Sequence, residues 1–347
     1  MRIYKLICGS NTKIRIGRFD RNDTDDIIHS DTLFSAIITC FNLLYGDEKI
    51  QDFINEFENG NIKLSSVFYL AEVFKKNDSN EFNFLKTIRF VPKPFINISL
   101  ENSEADEELV NRKKIKKLKF ISEKVFTDII GNFNGEVSNF DLKKDKEYIK
   151  DEFCYDKSEL NYSFKSSFKI NLVEYKNSID RETNNSIKNE SPFTELDICL
   201  NDIFEGEYLL RPHLYFYVDI NPDFEKEFNT CIRLMCDEGL GGERSFGKGT
   251  FQGVEIYDSD LEINSKVNIN LSLKSTDKEE IKSLKNTIVS YDSMVRSGWI
   301  NDSKKKSVRM IKEGSVFKSK LSGQIADLTP SGFTKNKTLA YGKGIIL

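Results

Sequence analysis

The segment Gly239-Leu240-Gly241-Gly242-Glu243-Arg244-Ser245-Phe246-Gly247-Lys248-Gly249-Thr250-Phe251-Gln252-Gly253 holds six of the chain's nineteen glycines, together with two cations. Glycine adopts positive φ and lets a second backbone come close, so this run can turn N–H groups, Arg244 and Lys248 toward an anionic chain. A phosphate backbone is the expected ligand, with Gly239, Gly241, Gly242, Gly247 and Gly249 permitting its approach and Ser245 sharing the bend. Phe246 is expected either to stack on a base or to anchor the loop to the core. Arg244 is expected either to meet a phosphate or to form a salt bridge with Glu243 or with the polar segment of about 75–205. Gly242 to Gly249 spells G-x-x-x-x-G-K, but Gly249 stands where a nucleotide-binding P-loop needs Ser or Thr for magnesium. Chain order excludes that motif as well, because a P-loop runs from strand to helix and uses the helix N-terminus as its anion site. Here the helix comes first.

That helix is announced by Asn221 as N-cap, Pro222 at the first position, Asp223 and Glu225 in the first turn, and an apolar stripe of Phe224, Phe228, Ile232 and Met235. Gly239 supplies the stop, and Thr250 to Tyr257 favours a strand. Upstream, residues 1–8 read as a strand. Residues 31–45 read as a helix carrying Leu33, Ile37, Phe41 and Leu44 and ending at Gly46, and Ser65 to Val73 as a second strand. Between about 75 and 205 the chain is polar, with apolar islands at Phe90-Val91-Pro92-Lys93-Pro94 and Phe164 to Val173, which predicts an insertion that packs only in part. Tyr208 to Ile220 alternates apolar with polar and predicts a half-buried strand. Its Arg211, His213, Tyr215 and Tyr217 share one face, which is either open, as in an RNA-recognition module, or covered by other parts of the chain.

Removing the insertion leaves strand, helix, strand, strand, helix, strand, the βαββαβ order of a ferredoxin-like domain. After residue 258 the pattern partly restarts, with strand 267–273, helix 278–289, and strands 290–300 and 308–318. The expected class is α+β, with tandem ferredoxin-like (RRM-like) domains and a large insertion in the first. Residues 1–258 would form the N-terminal domain with the loop 239–253, and 259–347 a smaller C-terminal one.

Hydrophobic residues make up 39% of the 347, with 27 phenylalanines, enough to fill a core. No apolar run reaches the roughly 18–20 residues that span a bilayer, and the start is too short and charged for a secretory signal, so no membrane contact and a cytoplasmic location are expected. Six cysteines without a C-x-x-C, and two histidines, predict buried free thiols, no metal site and no cofactor. The formal net charge of −4 hides segregation. Glu101 to Glu108 carries five acids, Arg112 to Lys119 six bases, and Lys304 to Arg309 a second basic run.

Taken together these segments resemble the RAMP superfamily of CRISPR proteins, specifically the subunit of the type III-A (Csm) effector complex that caps the 5′ handle of the CRISPR RNA. The glycine-rich loop after the second helix is one match. His29-Ser30-Asp31-Thr32-Leu33-Phe34-Ser35-Ala36 is similar to the opening of the family's first helix. Lys176-Asn177-Ser178-Ile179-Asp180-Arg181-Glu182-Thr183 is similar to its inserted hairpin, and Val91-Pro92-Lys93-Pro94 to a proline motif. Arg309 to Phe317 and Tyr341 to Gly344 extend the likeness through the C-terminal domain. The resemblance implies a non-catalytic subunit that binds the crRNA 5′ handle, contacts the large polymerase-like subunit, abuts the adjacent RAMP backbone subunit and meets target RNA indirectly. It adds Lys176, Asn177, Ile179, Asp180 and Arg181 to the expected RNA contacts, with Asp180 accepting from Arg181 or from a base. Arg211, Tyr215 and His29 complete the set. His29 also carries the alternative, a metal-independent endoribonuclease that processes repeat RNA, because the superfamily's processing enzymes place a histidine near the first helix. No catalytic set is otherwise evident, since acid–base cleavage wants a second partner.

Overall fold

The computed structural model describes residues 1–17, 24–98, 115–138, 140–141, 144–183, 185–186, 192–263, 265–300, 303–333 and 337–347. The acidic run Glu101 to Glu108 and the first three bases of the neighbouring run, Arg112, Lys113 and Lys114, lie outside them.

The chain opens with strands β1 (Arg2–Ile7) and β2 (Thr12–Ile14), helices α1 (Ser30–Tyr45) and α2 (Asp47–Asn59), and strand β3 (Phe68–Lys76). The insertion supplies β4 (Phe82–Pro92), β5 (Phe120–Ser122), α3 (Glu123–Gly131), β6 (Lys146–Ile149), β7 (Phe153–Asp156) and the hairpin β8 (Lys169–Lys176) with β9 (Phe193–Leu200). Strand β10 (Tyr208–Ile220), helix α4 (Glu225–Glu238) and strand β11 (Gly253–Asp258) complete the larger unit. Its main sheet runs β11, β1, β10, β3, β4, β5, β7, β6. The first four are the antiparallel ferredoxin-like order, with β1 paired to both β10 and β11.

Helices α1 and α4 cover one face because their apolar residues recur at helical spacing: Leu33, Phe34, Ile37 and Phe41 on α1, and Phe228, Ile232 and Met235 on α4, are all buried. Tyr4 of β1 stacks on Phe216 of β10 at 5.3 Å and meets the edge of Phe228 at 5.4 Å. Each such ring contributes roughly 1.5–3 kcal/mol through its burial. Asn221 caps a short 3₁₀ turn, Pro222–Phe224, by accepting from Asp223 N–H at 3.1 Å, and α4 proper begins at Glu225.

The described residues of the insertion pack more fully than expected. Phe90, Phe120, Phe126, Ile129, Ile149, Phe153, Tyr155 and Phe168 are fully or almost fully buried, and β4, β5, β7 and β6 continue the sheet beyond β3. Strand β10 is correspondingly buried on both faces from Leu209 to Val218, Arg211 being partly exposed. The expectation of a half-buried strand counted Tyr215 and Tyr217 as polar, yet both rings have no exposure. Tyr215 Oη donates to the Phe90 carbonyl at 3.2 Å and Tyr217 Oη to Glu123 of α3, so the insertion covers the face that an RNA-recognition module leaves open.

Beyond β11 the strands are short. Residues 268–269, 316–317 and 288–290 pair as one small sheet, 293–296 with 308–311, and 324–327 with 339–342. Helix α5 (Lys278–Thr287) starts from an Asp277–Glu280 capping box. This part docks on the first through Tyr341, which stacks on Phe34 at 5.2 Å and meets the edge of Phe57 at 5.8 Å.

The six cysteines are buried and unpaired, and burial pushes the thiols of Cys8, Cys154, Cys231 and Cys236 up to about 12. Among the described residues no helix is long and apolar enough to cross a membrane.

Candidate nucleic-acid interface

The glycine-rich loop leaves α4 at Gly239 and returns to the sheet at β11, lying against β2 on the way. Three backbone hydrogen bonds fix it: Gly242 N–H to Arg15 carbonyl at 2.8 Å, Gly249 N–H to Lys13 carbonyl at 2.8 Å, and Leu240 N–H to Gly249 carbonyl at 2.9 Å. The glycines are demanded by this internal approach. A Cβ on Gly241 (φ +104°) would lie 2.5 Å from the Arg15 carbonyl oxygen, and one on Gly249 (φ +72°) 2.1 Å from that of Leu240. Gly239 likewise faces the Lys248 carbonyl, at 2.8 Å. The expectation that Gly239, Gly241 and Gly249 make room for RNA is therefore corrected, since the backbone they accommodate is the chain's own, whereas a Cβ on Gly242 would meet only the Arg15 side chain, at 3.4 Å.

Lys248 is corrected for a second reason. Its side chain is buried, and Nζ lies 2.7 Å from Asp197, 2.6 Å from Glu243 and 3.3 Å from Glu195. Asp197 also meets Arg15 at 3.6 Å, Lys176 pairs with Glu195 and, at 3.1 Å, with Glu243, and Lys13 pairs with Glu174. Four cations thus face four carboxylates. Burial opposes charge on Lys248, but its carboxylate partners outweigh that and hold its pKa above the usual lysine value. Burial also pushes the Glu243 carboxyl up, while contact with Glu195 and the ammonium groups of Lys248 and Lys176 together hold it down at about 2. The network was hidden because Glu195 and Asp197 fall in the polar insertion. Their i, i+2 spacing on a strand, which puts both carboxylates on one face, was the signal available.

What stays exposed is the tip. Arg244, Ser245, Phe246 and Gly247 form a 3₁₀ turn and its cap, and the Phe246 ring is 78% exposed. No ion pair holds Arg244 among the described residues. Lys176 Nζ lies over the Phe246 ring, 5.4 Å from its centre, so the tip is tied to the end of β8. Beneath the tip opens a cleft of about 560 Å³ lined by Lys13, Glu174, Lys176, Phe246, Lys248 and Gln252, among others.

Beyond Lys176 the hairpin narrows: Asn177 Nδ2 donates to Ser186 Oγ at 2.6 Å, Ile179 bridges Ser186, and Asp180 N–H donates to the Asn185 carbonyl at 2.9 Å. The Asp180 carboxylate accepts from Glu182 N–H at 2.8 Å, which together with Thr183 holds its pKa below the usual range. Among the described residues the Asp180 carboxylate thus serves its own turn rather than Arg181. Asn177, Ile179 and Arg181 are exposed.

The other expected contacts are absorbed by the fold. Tyr215 is covered, as described. Arg211 pairs with Asp202 at 3.2 Å and lies 5.3 Å from the centre of the Phe74 ring. His29 is buried at the junction with the C-terminal part, its Nδ1 2.9 Å from Glu313 and its Nε2 3.6 Å from Asp25. Burial disfavours its charge, but the Glu313 and Asp25 carboxylates raise its pKa to about 9. His213 is buried too, accepting from Cys8 N–H at Nδ1 and facing Glu72 across 3.3 Å. Neither imidazole reaches solvent, so neither fits the general acid or base of an endoribonuclease. Among the described residues no three His, Cys, Asp or Glu side chains gather as a metal site.

Comparison with known proteins matches residues 5–252 to the RAMP superfamily and residues 263–347 to the CRISPR Csm4 C-terminal domain. The CRISPR system Cms protein Csm4 of Methanocaldococcus jannaschii is 28% identical over an alignment covering 92% of this chain and 86% of that protein. Among solved structures, a chain of the Csm3–Csm4 subcomplex in the type III-A CRISPR-Cas interference complex is similar over all of this chain and 98% of its own, with a TM-score of 0.64 and 22% identity. A chain of a Csm1–Csm4 cassette in complex with cA4 is similar over all of this chain and 96% of its own, with a TM-score of 0.55 and 15% identity. The RAMP match spans well over half of the sequence: the chain belongs to the RAMP superfamily.

Proposed function

We propose that this chain is the crRNA 5′-handle-binding subunit of a type III-A CRISPR effector complex, acting as a non-catalytic scaffold. The observation that carries the reading is the loop tip: an exposed aromatic and an exposed guanidinium, held on a backbone that is rigid from β2 to β11, above an open cleft. Phe246 offers a stacking platform and Arg244 a phosphate contact, with Asn177, Ile179 and Arg181 on the neighbouring hairpin as further contacts. Its partners in this reading are the large polymerase-like subunit and the adjacent RAMP backbone subunit, with target RNA met only through the guide. The similar chains, one from a Csm3–Csm4 subcomplex and one from a Csm1–Csm4 cassette, support that assignment. Two domains meeting near residue 258 remain part of the proposal.

The test is retention of labelled handle RNA by the purified chain. Phe246→Ala should weaken binding by about tenfold, in line with a stacking loss of roughly 1–3 kcal/mol. Arg244→Ala should lower the salt slope by about one phosphate contact. Unchanged affinity and slope in both variants would reject the site, and cleavage of repeat RNA in EDTA would reject the scaffold.

A further inference from the structure

A second cavity, of about 500 Å³, opens at the other end of the sheet, where the N- and C-terminal parts of the fold meet. Its wall carries four lysines, Lys63, Lys274, Lys320 and Lys343, against one acidic side chain, Asp219, and its floor is the apolar run Leu321, Ile345 and Ile346. The glycine-loop cleft begins at Gly9, just past the end of β1, and this cavity touches Met1, just before its start. Six residues of strand at about 3.3 Å each separate the two by roughly 20 Å. They are independent sites.

The charge balance is the opposite of the one at the loop. There every ammonium has a carboxylate. Here Lys63 has only a solvent-exposed contact with Asp219 at 3.6 Å, and Lys320 is exposed without an ion pair among the described residues. Lys343 donates to the Glu58 carbonyl. Lys274 is 1% exposed and has no carboxylate within ion-pairing distance among the described residues. Its Nζ instead donates to three carbonyls, those of Ser322 at 3.3 Å, Lys343, and Gly344 at 3.0 Å. Those bonds use all three of its protons and leave its charge without a counter-ion. A buried unpaired ammonium is costly, and burial with the nearby Lys343 and Lys63 pulls its pKa down to about 7 against the opposing pull of Glu280.

An anion in the cavity removes this cost. We infer that the cavity binds a phosphate group, held by the amines of Lys63, Lys320 and Lys343 and stabilised from beneath by the charge of Lys274, with the apolar floor receiving the rest of a nucleotide-sized ligand. The phosphate can be borne by a free nucleotide or by a strand of RNA, and the two sources are separable by experiment.

Calorimetry on the full chain with inorganic phosphate, ATP and a short RNA provides the test. Wild-type protein should bind phosphate and ATP, and Lys63→Gln/Lys320→Gln should weaken both by about tenfold, since each charged contact to phosphate is among the stronger hydrogen bonds. Both residues are at the surface, so an unchanged melting curve shows that the fold is intact. Loss of RNA affinity in this variant, with Phe246→Ala additive to it and ATP indifferent, would assign the phosphate to a strand. Sulfate, whose charge is constant across the titration, should be taken up together with a proton near neutral pH in wild type and without one in Lys274→Met. Equal affinity of wild type and Lys63→Gln/Lys320→Gln for all three probes, or no binding by any, overturns the site whatever happens at the glycine loop.

Discussion

Replacing Lys248 by methionine separates a structural cation from a ligand-binding one. The substitution keeps most of the stem and removes the charge that sits 2.7 Å from Asp197 and 2.6 Å from Glu243. Asp197 has no solvent exposure, so its carboxylate is left with Arg15 at 3.6 Å, while Glu195 keeps Lys176. Removing one member of a buried ion pair costs about 3–5 kcal/mol, and the partners that remain place this case near the lower end. A loss of about 3 kcal/mol corresponds to a fall in melting temperature of roughly 4–6 °C for an unfolding unit of this size, at about 2.1 cal/mol/K of unfolding entropy per residue. Acid sensitivity should shift as well. Glu243 titrates at about 2 in the fold against 4.5 unperturbed, so the stability it contributes is present above 4.5 and is lost as pH falls toward 2. Without Lys248 the folded pKa moves back toward 4.5, so that loss becomes smaller and is complete at a higher pH. Thermal melts between pH 3 and pH 7, read by circular dichroism, measure both effects, and Lys248→Met/Asp197→Leu should recover part of the loss because the orphaned carboxylate is gone. A Lys248→Met protein that melts like wild type yet releases RNA would refute the assignment and return Lys248 to the ligand.

Gly249→Ala should destabilise the protein by more than Gly247→Ala, because its Cβ meets a backbone oxygen at 2.1 Å whereas that of Gly247 (φ +77°) enters open space and adds only positive-φ strain of about 1 kcal/mol. Melting curves of the two variants decide this, and equal losses would sink it. Tyr215→Phe should lower stability by about 1 kcal/mol, the usual value of one hydrogen bond, and leave RNA affinity unchanged in a filter-binding assay. His29, at about 9 in the fold against 6.5 unperturbed, contributes stability that is complete below 6.5 and is lost as pH rises through 9. Denaturant titrations should show about 3 kcal/mol of such dependence, absent in His29→Gln.

The ferredoxin-like core was legible because its elements announce themselves locally. The α1 stripe, the Asn221-Pro222 entry to α4 and the Gly239 exit needed no knowledge of the rest of the chain, and α2 could have been found the same way from Ile50, Phe53, Ile54 and Phe57 before Gly60. The insertion was not legible, since its apolar residues are scattered through polar sequence and become a core only when β4, β5 and β7 line up beside β3. That Tyr215 is covered was left undecided, and that His29 is buried was not foreseen, for one shared reason. A tyrosine or histidine on a strand or helix end carries no mark of which other segment will cover it, and the covering groups, Phe90 and Glu313, lie 125 and 284 residues away.

The same long-range pairing explains why cation counting exaggerated the field at the loop. Lys248 and Lys176 were counted without the carboxylates of β9 that neutralise them, and a neutralised root attracts phosphate little. The root's contribution is geometric: it fixes the backbone on either side of Arg244 and Phe246, so that these two side chains meet a ligand with little ordering left to do. Lys176 carries that rigidity across to β8, since it bridges Glu195 and Glu243 and lies over the Phe246 ring. A ligand that displaces the Phe246 ring therefore also disturbs the hairpin, and under the proposed function the loop and the insertion would meet RNA as one unit although 67 residues separate their joined side chains.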